Sequence, residues 1–183
     1  EFEILDVTMM EAMGMHALLA VGQGSIHPPC LVTIKYNGAG AAPYTAYVGK
    51  GITFDSGGIS IKPSDNMGEM KDDMAGAGAV LGALRAIAAL KIPCNVMGII
   101  ACAENMPSGS AQRPGDVVKA ANGKTIEVIS TDAEGRMVLA DAVWYACKQG
   151  AAKVVDIATL TGGVIVALGT ETAGIVGNDD VLI

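Results

Sequence analysis

The chain has 183 residues, of which 51% are hydrophobic and 17% charged, a composition typical of a globular domain with a large buried core. The formal net charge of −7 disfavours nucleic acid as a partner, and no apolar run approaches the roughly 20 residues that a membrane-spanning helix needs. Two histidines and four scattered cysteines exclude a histidine-rich or cysteine-rich metal site, so a metal would need chiefly oxygen ligands. The cysteines are expected to be reduced thiols in a cytosolic protein.

The first part of the chain predicts three strands and one short helix. Residues 2–7 form a β-rich run, and Thr8 with Glu11 three residues later matches the capping box that begins a helix. Two further β-rich runs, 31–36 and 44–48, are separated by a turn rich in glycine, alanine and proline. We therefore expect these two runs to be neighbouring strands.

The middle of the chain changes from a loop to a helix and then to a buried strand. Residues 49–66 combine glycine, serine and charge and predict a loop, and the stretch from about 67 to 90 predicts a long helix. Residues 95–103 are continuously apolar, which is typical of a strand buried on both faces of a sheet. An Asn-Gly pair at Asn122 lies between two β-like runs within 117–129 and predicts a hairpin.

The last part predicts a helix at 137–149, a strand at 154–158, a loop at 159–163 and a final strand at 173–176. Because strands alternate with helices and a hairpin is present, we predict an α/β fold with a mixed β-sheet sandwiched between helices. The sequence has no internal repeat and no low-complexity linker. Residues 1–183 are therefore expected to form a single domain.

Three charged residues, Asp132, Glu134 and Arg136, alternate at the start of the helix predicted at 137–149. In an extended segment this spacing directs all three side chains to one side, at a strand-to-helix transition where α/β proteins bind ligands. The same pattern also fits a solvated acidic turn that caps the following helix. The spacing alone leaves both interpretations open.

A second charged pattern lies in the predicted loop after residue 48. Lys50 and Asp55 flank a glycine-rich stretch, Lys62 follows in the same loop, and Asp73 falls inside the next predicted helix. Such a loop can be a surface turn with a solvated ion pair, or its glycines can let the backbone approach a bound ion closely.

Several stretches together resemble the leucine aminopeptidase, or cytosol aminopeptidase, family. Residues 48–79, which include Gly-Lys-Gly-Ile-Thr-Phe-Asp-Ser-Gly-Gly, resemble its metal-binding loop, and Thr131-Asp132-Ala133-Glu134-Gly135-Arg136-Met137 resembles its signature. The resemblance covers nearly the whole chain and implies a zinc-peptidase-like, three-layer architecture. It also implies that residues 1–183 are the central part of the catalytic domain of a longer aminopeptidase, without its N-terminal domain and its C-terminal part. Supporting matches lie at 21–25, 104–109 and 158–162.

The resemblance also implies a set of metal ligands and two further catalytic residues. Two divalent ions, zinc or manganese with cobalt or magnesium as alternatives, would balance four carboxylates that otherwise repel one another. Lys50 would ligate as a neutral amine, Lys62 would stabilise the oxyanion, and Arg136 would hold a bicarbonate ion that shuttles the proton. The implied metal ligands are Lys50, Asp55, Asp73, Asp132 and Glu134.

Three positions match the family's pocket for the first substrate residue: Met70, Thr159 and Gly162. An apolar lining would favour leucine-like side chains. For Met70, core packing is an equally good interpretation, because this residue and the neighbouring methionines follow a 3,4 spacing. One residue departs from the family signature, because Ser130 stands where asparagine is common. A serine can still form a hydrogen bond, so we expect altered loop or substrate contacts and an intact metal site.

We therefore expect a cytoplasmic, metal-dependent aminopeptidase that removes leucine-like N-terminal residues from peptides by means of a two-metal-activated water. The full-length protein is expected to be a homohexamer, and an isolated central segment is expected to expose apolar surface. A first alternative is a non-catalytic family member that acts as a binding or structural protein. A second is a nucleic-acid-binding role, which the acidic charge balance disfavours.

Overall fold

A computed structural model describes residues 1–183. A five-stranded mixed sheet lies between helices on its two faces, which confirms the predicted α/β class. The strands are β1 (Phe2–Leu5), β2 (Cys30–Asn37), β3 (Tyr44–Asp55), β4 (Asn95–Asn105), β5 (Val117–Lys119), β6 (Thr125–Glu127) and β7 (Ala151–Ile157). The helices are α1 (Val7–Ala12), α2 (His16–Gly22), α3 (Ala75–Ala89), α4 (Glu134–Lys148) and α5 (Gly163–Leu168), with a 3₁₀ helix at Met67–Asp72.

The strand order in the main sheet is β1-β2-β4-β3-β7. Strand β3 runs parallel to β4 and β7, whereas β2 is antiparallel to both β1 and β4. The expectation that β2 and β3 are neighbours is therefore wrong, because the apolar strand β4 lies between them. The antiparallel strands β1 and β2 make the main sheet mixed. The predicted hairpin does not contribute to this, because its strands β5 and β6 form a separate two-stranded sheet.

The two faces of the sheet bury two apolar clusters. Helices α2 and α4 cover the larger cluster, to which β4 contributes Ile99 and Ala101. Helix α3 covers the smaller cluster, in which Val80 and Leu84 pack with Ile100 of β4. Successive residues of β4 thus enter opposite cores, which explains why the middle of this strand, residues 96–103, carries no polar or charged side chain other than the Cys102 thiol.

Strand β3 is longer than the sequence predicts, because residues 49–55 continue the strand instead of forming a loop. This segment pairs with β4 on one side and, as far as Gly49, with β7 on the other. A Cβ atom on Gly49 would lie 2.7 Å from the Cα atom of Ala77 in α3. The glycines in this segment therefore permit a close approach of helix to sheet.

The predicted helix at 67–90 is broken, because the 3₁₀ helix ends before α3 begins at Ala75. Asp73 consequently lies in the junction between the two helices and not inside one. Helix α4 begins at Glu134, three residues earlier than predicted. These two corrections matter because each moves an acidic residue to a helix terminus.

The ends of the chain also differ from the predictions. Helix α1 is capped by Asp6, whose carboxylate accepts from the backbone N–H of Met9 at 2.9 Å, and not by a capping box at Thr8. Residues 173–176 form no strand, and helix α5 was not predicted. Apolar side chains of this region, such as Val176 at 98% exposure, face solvent. No helix has both the length and the apolar character required to cross a bilayer.

Two glycines of α3 give a matched test of the helix–sheet contact. A Cβ atom on Gly76 would lie 2.0 Å from the carbonyl oxygen of Ile157, whereas a Cβ atom on Gly82 would meet nothing within 4 Å. We expect Gly76→Ala to lower the free energy of unfolding by about 2 kcal/mol or more. Gly82→Ala should raise it by about 0.5–1 kcal/mol, because alanine favours the helix. Urea denaturation measures both changes, and equal effects of the two substitutions would contradict the close contact.

Candidate metal centre

The predicted site residues gather where the parallel strands of the sheet end. Asp55 is the last residue of β3 and Asn105 is the last residue of β4. Between Ile52 and Asp55, β3 advances three residues while β4 advances two, from Ala103 to Asn105. In a regular strand, Lys50 and Asp55 would point to opposite faces, because they are five positions apart, an odd number. The extra residue in β3 re-aims Asp55 so that both side chains can serve one site.

Lys50 is the innermost charged group of the site and is only 2% exposed. Its ammonium nitrogen lies 2.8 Å from Asp73 Oδ1, 2.7 Å from Glu134 Oε1 and 2.9 Å from the carbonyl oxygen of Thr159. All three ammonium protons therefore have acceptors, as a buried cation requires. The lysine connects β3 to the start of α3, to the start of α4 and to the loop after β7.

Lys62 makes a second, less buried bridge. Its nitrogen lies 2.8 Å from Asp55 Oδ2 and 2.6 Å from Asp132 Oδ1, and its side chain is 22% exposed. This bridge joins the end of β3 to the turn that precedes α4. One side of the lysine remains open to solvent, whereas Lys50 has no such opening.

The carboxylates form one connected group around the two lysines. One oxygen each of Asp55, Asp132 and Glu134 lies within 4.8 Å of the other two. Asp73 joins the group through Lys50, and its Oδ1 also accepts a hydrogen bond from the Thr159 hydroxyl at 2.8 Å. The structure thus brings together all five side chains that the family resemblance implies as metal ligands.

Burial and the close charges together shift the pKa values of Glu134 and of both lysines. Burial raises the pKa of Glu134 to about 7, against the opposing attraction of Lys50, and the nearby Asp55 adds to the rise. Burial disfavours the charged form of both lysines, but their carboxylate partners outweigh it and raise the pKa of Lys50 and of Lys62. Without a bound metal ion, the carboxylates therefore keep both lysines cationic at neutral pH. Lys50 could act as a neutral amine ligand only if a bound cation displaced its proton.

The residues of this site fit divalent cations on three grounds. Four carboxylates face two lysine cations, so the fully ionised group carries an excess of two negative charges. Two buried oxygens, Asp73 Oδ2 and Glu134 Oε2, have no hydrogen-bond partner, and such groups are costly to bury unless something binds them. Carboxylate oxygens are also ligands that zinc, manganese and magnesium accept.

Asn105 is a site residue that the sequence reading did not identify. It is 1% exposed, and its amide nitrogen donates to Asp55 Oδ1 at 2.8 Å and to the carbonyl oxygen of Thr131 at 3.0 Å. The backbone carbonyl oxygen of Asn105 accepts hydrogen bonds from the backbone N–H and from the hydroxyl of Ser56. Asn105 thus fixes the Asp55 carboxylate and the segment that carries Asp132. Its position at the end of a strand buried on both faces is the sequence signal that could have marked it.

The turn that carries Asp132 is tied to the loop after β3. The Thr131 hydroxyl donates to the carbonyl oxygen of Gly57 and accepts from the backbone N–H of Ser60 at 2.8 Å. Gly57 has φ +87°, and a Cβ atom there would lie 2.4 Å from the carbonyl oxygen of Ser60. Only glycine therefore fits at this position without displacing the loop.

The extended interpretation of Asp132, Glu134 and Arg136 is wrong. Glu134 opens α4 and is buried, whereas Asp132 and Arg136 are exposed. Arg136 forms no ion pair with the carboxylate group. The alternative of a solvated acidic turn also fails, because Glu134 is 2% exposed and bound to Lys50.

The residues implied for substrate binding are more scattered. Thr159 contacts both Lys50 and Asp73, as described above, and Gly162 is the exposed residue before α5. Met70 lies half-buried in the 3₁₀ helix and belongs to neither apolar cluster, which disfavours the core-packing reading. Ser130 keeps a hydrogen-bonding role, because its hydroxyl accepts from the backbone N–H of Asp132 at 3.3 Å.

Asn105 can be tested against Asn95, a buried asparagine at the other end of the same strand. Asn95 binds backbone groups of Ala39, Gly40 and Ala42, far from the carboxylates. We expect Asn105→Ala to weaken Mn²⁺ binding by about 10–100-fold, because the Asp55 carboxylate loses its orientation. Asn95→Ala should lower stability but leave the affinity unchanged. Titration calorimetry measures the binding, and equal losses of affinity in both variants would contradict a role specific to Asn105.

The raised pKa of Glu134 predicts how metal binding depends on pH. Below about pH 7 the carboxyl holds a proton that a bound cation must displace, and above it that proton is already lost. The number of protons released per Mn²⁺ ion bound should therefore decrease by one as pH rises through about 7. Calorimetry in buffers with different ionisation enthalpies measures this number, and a constant value from about pH 6 to about pH 8 would contradict the assignment.

The chain is similar to known proteins over its whole length. The model of the cytosol aminopeptidase family, catalytic domain, matches residues 1–183. A protein of Afipia carboxidovorans named "Probable cytosol aminopeptidase" is 56% identical over 183 residues, which are 98% of this chain and 37% of that protein. A protein of Pseudomonas aeruginosa named "Cytosol aminopeptidase" is 54% identical over 99% of this chain and 37% of its own length. The chain thus spans little more than a third of the length of these relatives. It belongs to the cytosol aminopeptidase family, whose catalytic-domain model it matches over residues 1–183.

Proposed function

We propose that the protein containing this chain is a metal-dependent aminopeptidase that removes leucine-like residues from the N-termini of peptides. The observation that carries this proposal is the group of four carboxylates around Lys50 and Lys62, with two buried carboxylate oxygens that lack partners. Family membership supports a peptide hydrolase. Because the chain covers 37% of the length of these relatives, the activity is proposed for the protein that contains this chain.

We assign five side chains as the holders of two divalent ions, zinc or manganese. When bound, the ions supply positive charge that polarises the scissile carbonyl and lowers the pKa of a water molecule. The two unpartnered oxygens, Asp73 Oδ2 and Glu134 Oε2, are the buried atoms for which this charge matters most. The proposed holders are Lys50, Asp55, Asp73, Asp132 and Glu134.

Lys62 is proposed to stabilise the negative charge that develops on the substrate carbonyl oxygen. Its raised pKa keeps it an ammonium ion at neutral pH. Two of its three N–H donors are used by Asp55 and Asp132, which fix its position, so one donor remains for the substrate. A preorganised cation on the solvent side of the site is suited to this task.

Arg136 is proposed to hold a bicarbonate ion that accepts and returns a proton during hydrolysis. The guanidinium group is exposed in the first turn of α4, two residues after Glu134, and no carboxylate of the chain pairs with it. Its planar fork of donors matches a planar oxyanion in two hydrogen bonds. This arrangement would supply a base in a site that contains no histidine.

The first side chain of the substrate is proposed to lie among Met70, Thr159 and Gly162. Met70 offers an adaptable apolar surface outside the core, which suits a leucine-like side chain. Gly162 leaves room in front of α5. Thr159 connects this pocket to the metal-holding residues, because its hydroxyl binds Asp73.

We further propose that the full-length protein is cytoplasmic and forms a homohexamer, as the family resemblance implies. The names of the relatives include the word cytosol. The exposed apolar side chains of Val166, Val176 and Val181 would then be covered by other parts of the longer chain or by neighbouring subunits.

The activity can be tested with leucine p-nitroanilide and the full-length protein. We expect hydrolysis that stops with a chelator and returns with Mn²⁺ or Zn²⁺. Lys62→Ala and Glu134→Ala should each lower kcat by about 100-fold or more, because they remove the oxyanion donor and a metal-holding carboxylate. Lys148→Ala, an exposed lysine of α4, is the matched control and should retain full activity. Chelator-insensitive cleavage, or unchanged rates in both site variants, would refute the proposal.

A further inference from the structure

Two of the four cysteines lie directly opposite each other across the antiparallel strands β2 and β4. Cys30 begins β2, and its partner in the strand register is Cys102 near the end of β4. Directly opposed residues of antiparallel strands have Cα atoms about 4.5–5.5 Å apart. A disulfide needs a Cα separation of about 4.4–6.8 Å, so the pairing of the strands already places both backbones at bonding distance.

The two side chains also share one face of the sheet. Cys102 packs against the smaller apolar cluster under α3, and both cysteines are partly exposed. Burial raises the pKa of the Cys102 thiol to about 12, and contact and hydrogen bonding with the Cys30 thiol contribute to the rise. The register places the two side chains next to each other on this face. The other two cysteines, Cys94 and Cys147, have no such partner.

We propose that Cys30 and Cys102 form a reversible cross-strand disulfide when the protein meets an oxidising low-molecular-weight disulfide such as glutathione disulfide. The proposal depends on the strand register and on the shared face of the two side chains, and it is independent of the peptidase activity. A thiol–disulfide pair of this kind in a protein with cytosolic relatives is a redox-responsive site and not a permanent staple.

The chemistry proceeds by two thiol–disulfide exchanges. The Cys30 thiolate attacks one sulfur of glutathione disulfide, forms a mixed disulfide and releases one glutathione as its thiolate. Cys102 then loses its proton to solvent and attacks the Cys30 sulfur, which releases the second glutathione. The two cysteines lose two electrons and two protons in total, and glutathione disulfide takes them up as two glutathione thiols. Burial raises the pKa of the Cys102 thiol and so disfavours its thiolate, and the first attack is therefore assigned to Cys30.

The bond requires little movement of the fold, because the strands are already paired from Cys30 to Asn37. It would join residues more than seventy positions apart in the sequence. It would also fix the start of β2 against β4 three residues before Asn105, the residue that orients Asp55.

The test is to incubate the purified full-length protein with glutathione disulfide and to analyse tryptic peptides by mass spectrometry without reduction. We expect the peptide that contains Cys30 to be joined to the peptide that contains Cys102, with the loss of two hydrogen atoms. A dithiol reductant should separate them. Cys94 lies on the same tryptic peptide as Cys102, because no lysine or arginine separates them. Cys94→Ser is therefore needed as a control, and it should cross-link as the wild type does.

Single substitutions of the pair distinguish the steps. Cys102→Ser should accumulate one glutathione on Cys30, because the thiol that resolves the mixed disulfide is absent. Cys147→Ser should behave as the wild type. Melting temperatures of the reduced variants show that each serine protein is folded. A wild-type protein that stays unmodified, that retains glutathione on Cys30, or that cross-links through Cys94 or Cys147 would overturn the proposal. Leucine p-nitroanilide hydrolysis by the reduced protein tests the peptidase separately.

Discussion

The buried ammonium group of Lys50 is the constraint on which the rest of the site depends. A lysine that is 2% exposed must have its charge and all three protons satisfied within the protein. Asp73, Glu134 and the Thr159 carbonyl satisfy it, and they come from the start of α3, the start of α4 and the loop after β7. Removing any one partner would leave an incompletely paired charge in a desolvated place, which is far costlier than the loss of a surface ion pair. The lysine therefore specifies where two helices begin relative to the central strand.

The small residues around the site follow from that constraint. A Cβ atom on Gly135 would lie 2.9 Å from the Lys50 nitrogen, and a Cβ atom on Gly76 would lie 2.0 Å from the carbonyl oxygen of Ile157. Helices α3 and α4 can approach Lys50 from the two faces of the sheet because each has glycine at the contact. The extra residue in β3 then directs Asp55 to the same place. Close packing and one strand irregularity thus convert residues that are distant in sequence into a single charged group.

Local patterns predicted some elements well and others poorly, for identifiable reasons. The apolar run of β4 and the Asn-Gly hairpin were predicted because burial on both faces and turn chemistry leave direct traces in the sequence. The sequence does not predict the extension of β3, because glycines and charged residues are typical of loops. The glycines of this segment are explained only by the helices that pack closely against the strand. The convergence of the five implied ligands was available only through the family resemblance. Asn105 was missed because its role depends on the partners of its amide group, which no spacing reveals.

The charge balance of the site shows why such a group is held together by tertiary structure and not by its own attraction. Two lysines cannot neutralise four carboxylates. Burial raises the pKa of Glu134 and the negative charge of Asp55 adds to the rise, so a proton on Glu134 can replace part of the missing positive charge. Protonation, however, adds no partner for Asp73 Oδ2. The fold therefore retains carboxylates that are incompletely compensated, at a cost in stability that the surrounding core must offset. Residues that oppose stability in this way are expected where function requires them, and here they lie together at the ends of β3 and β4.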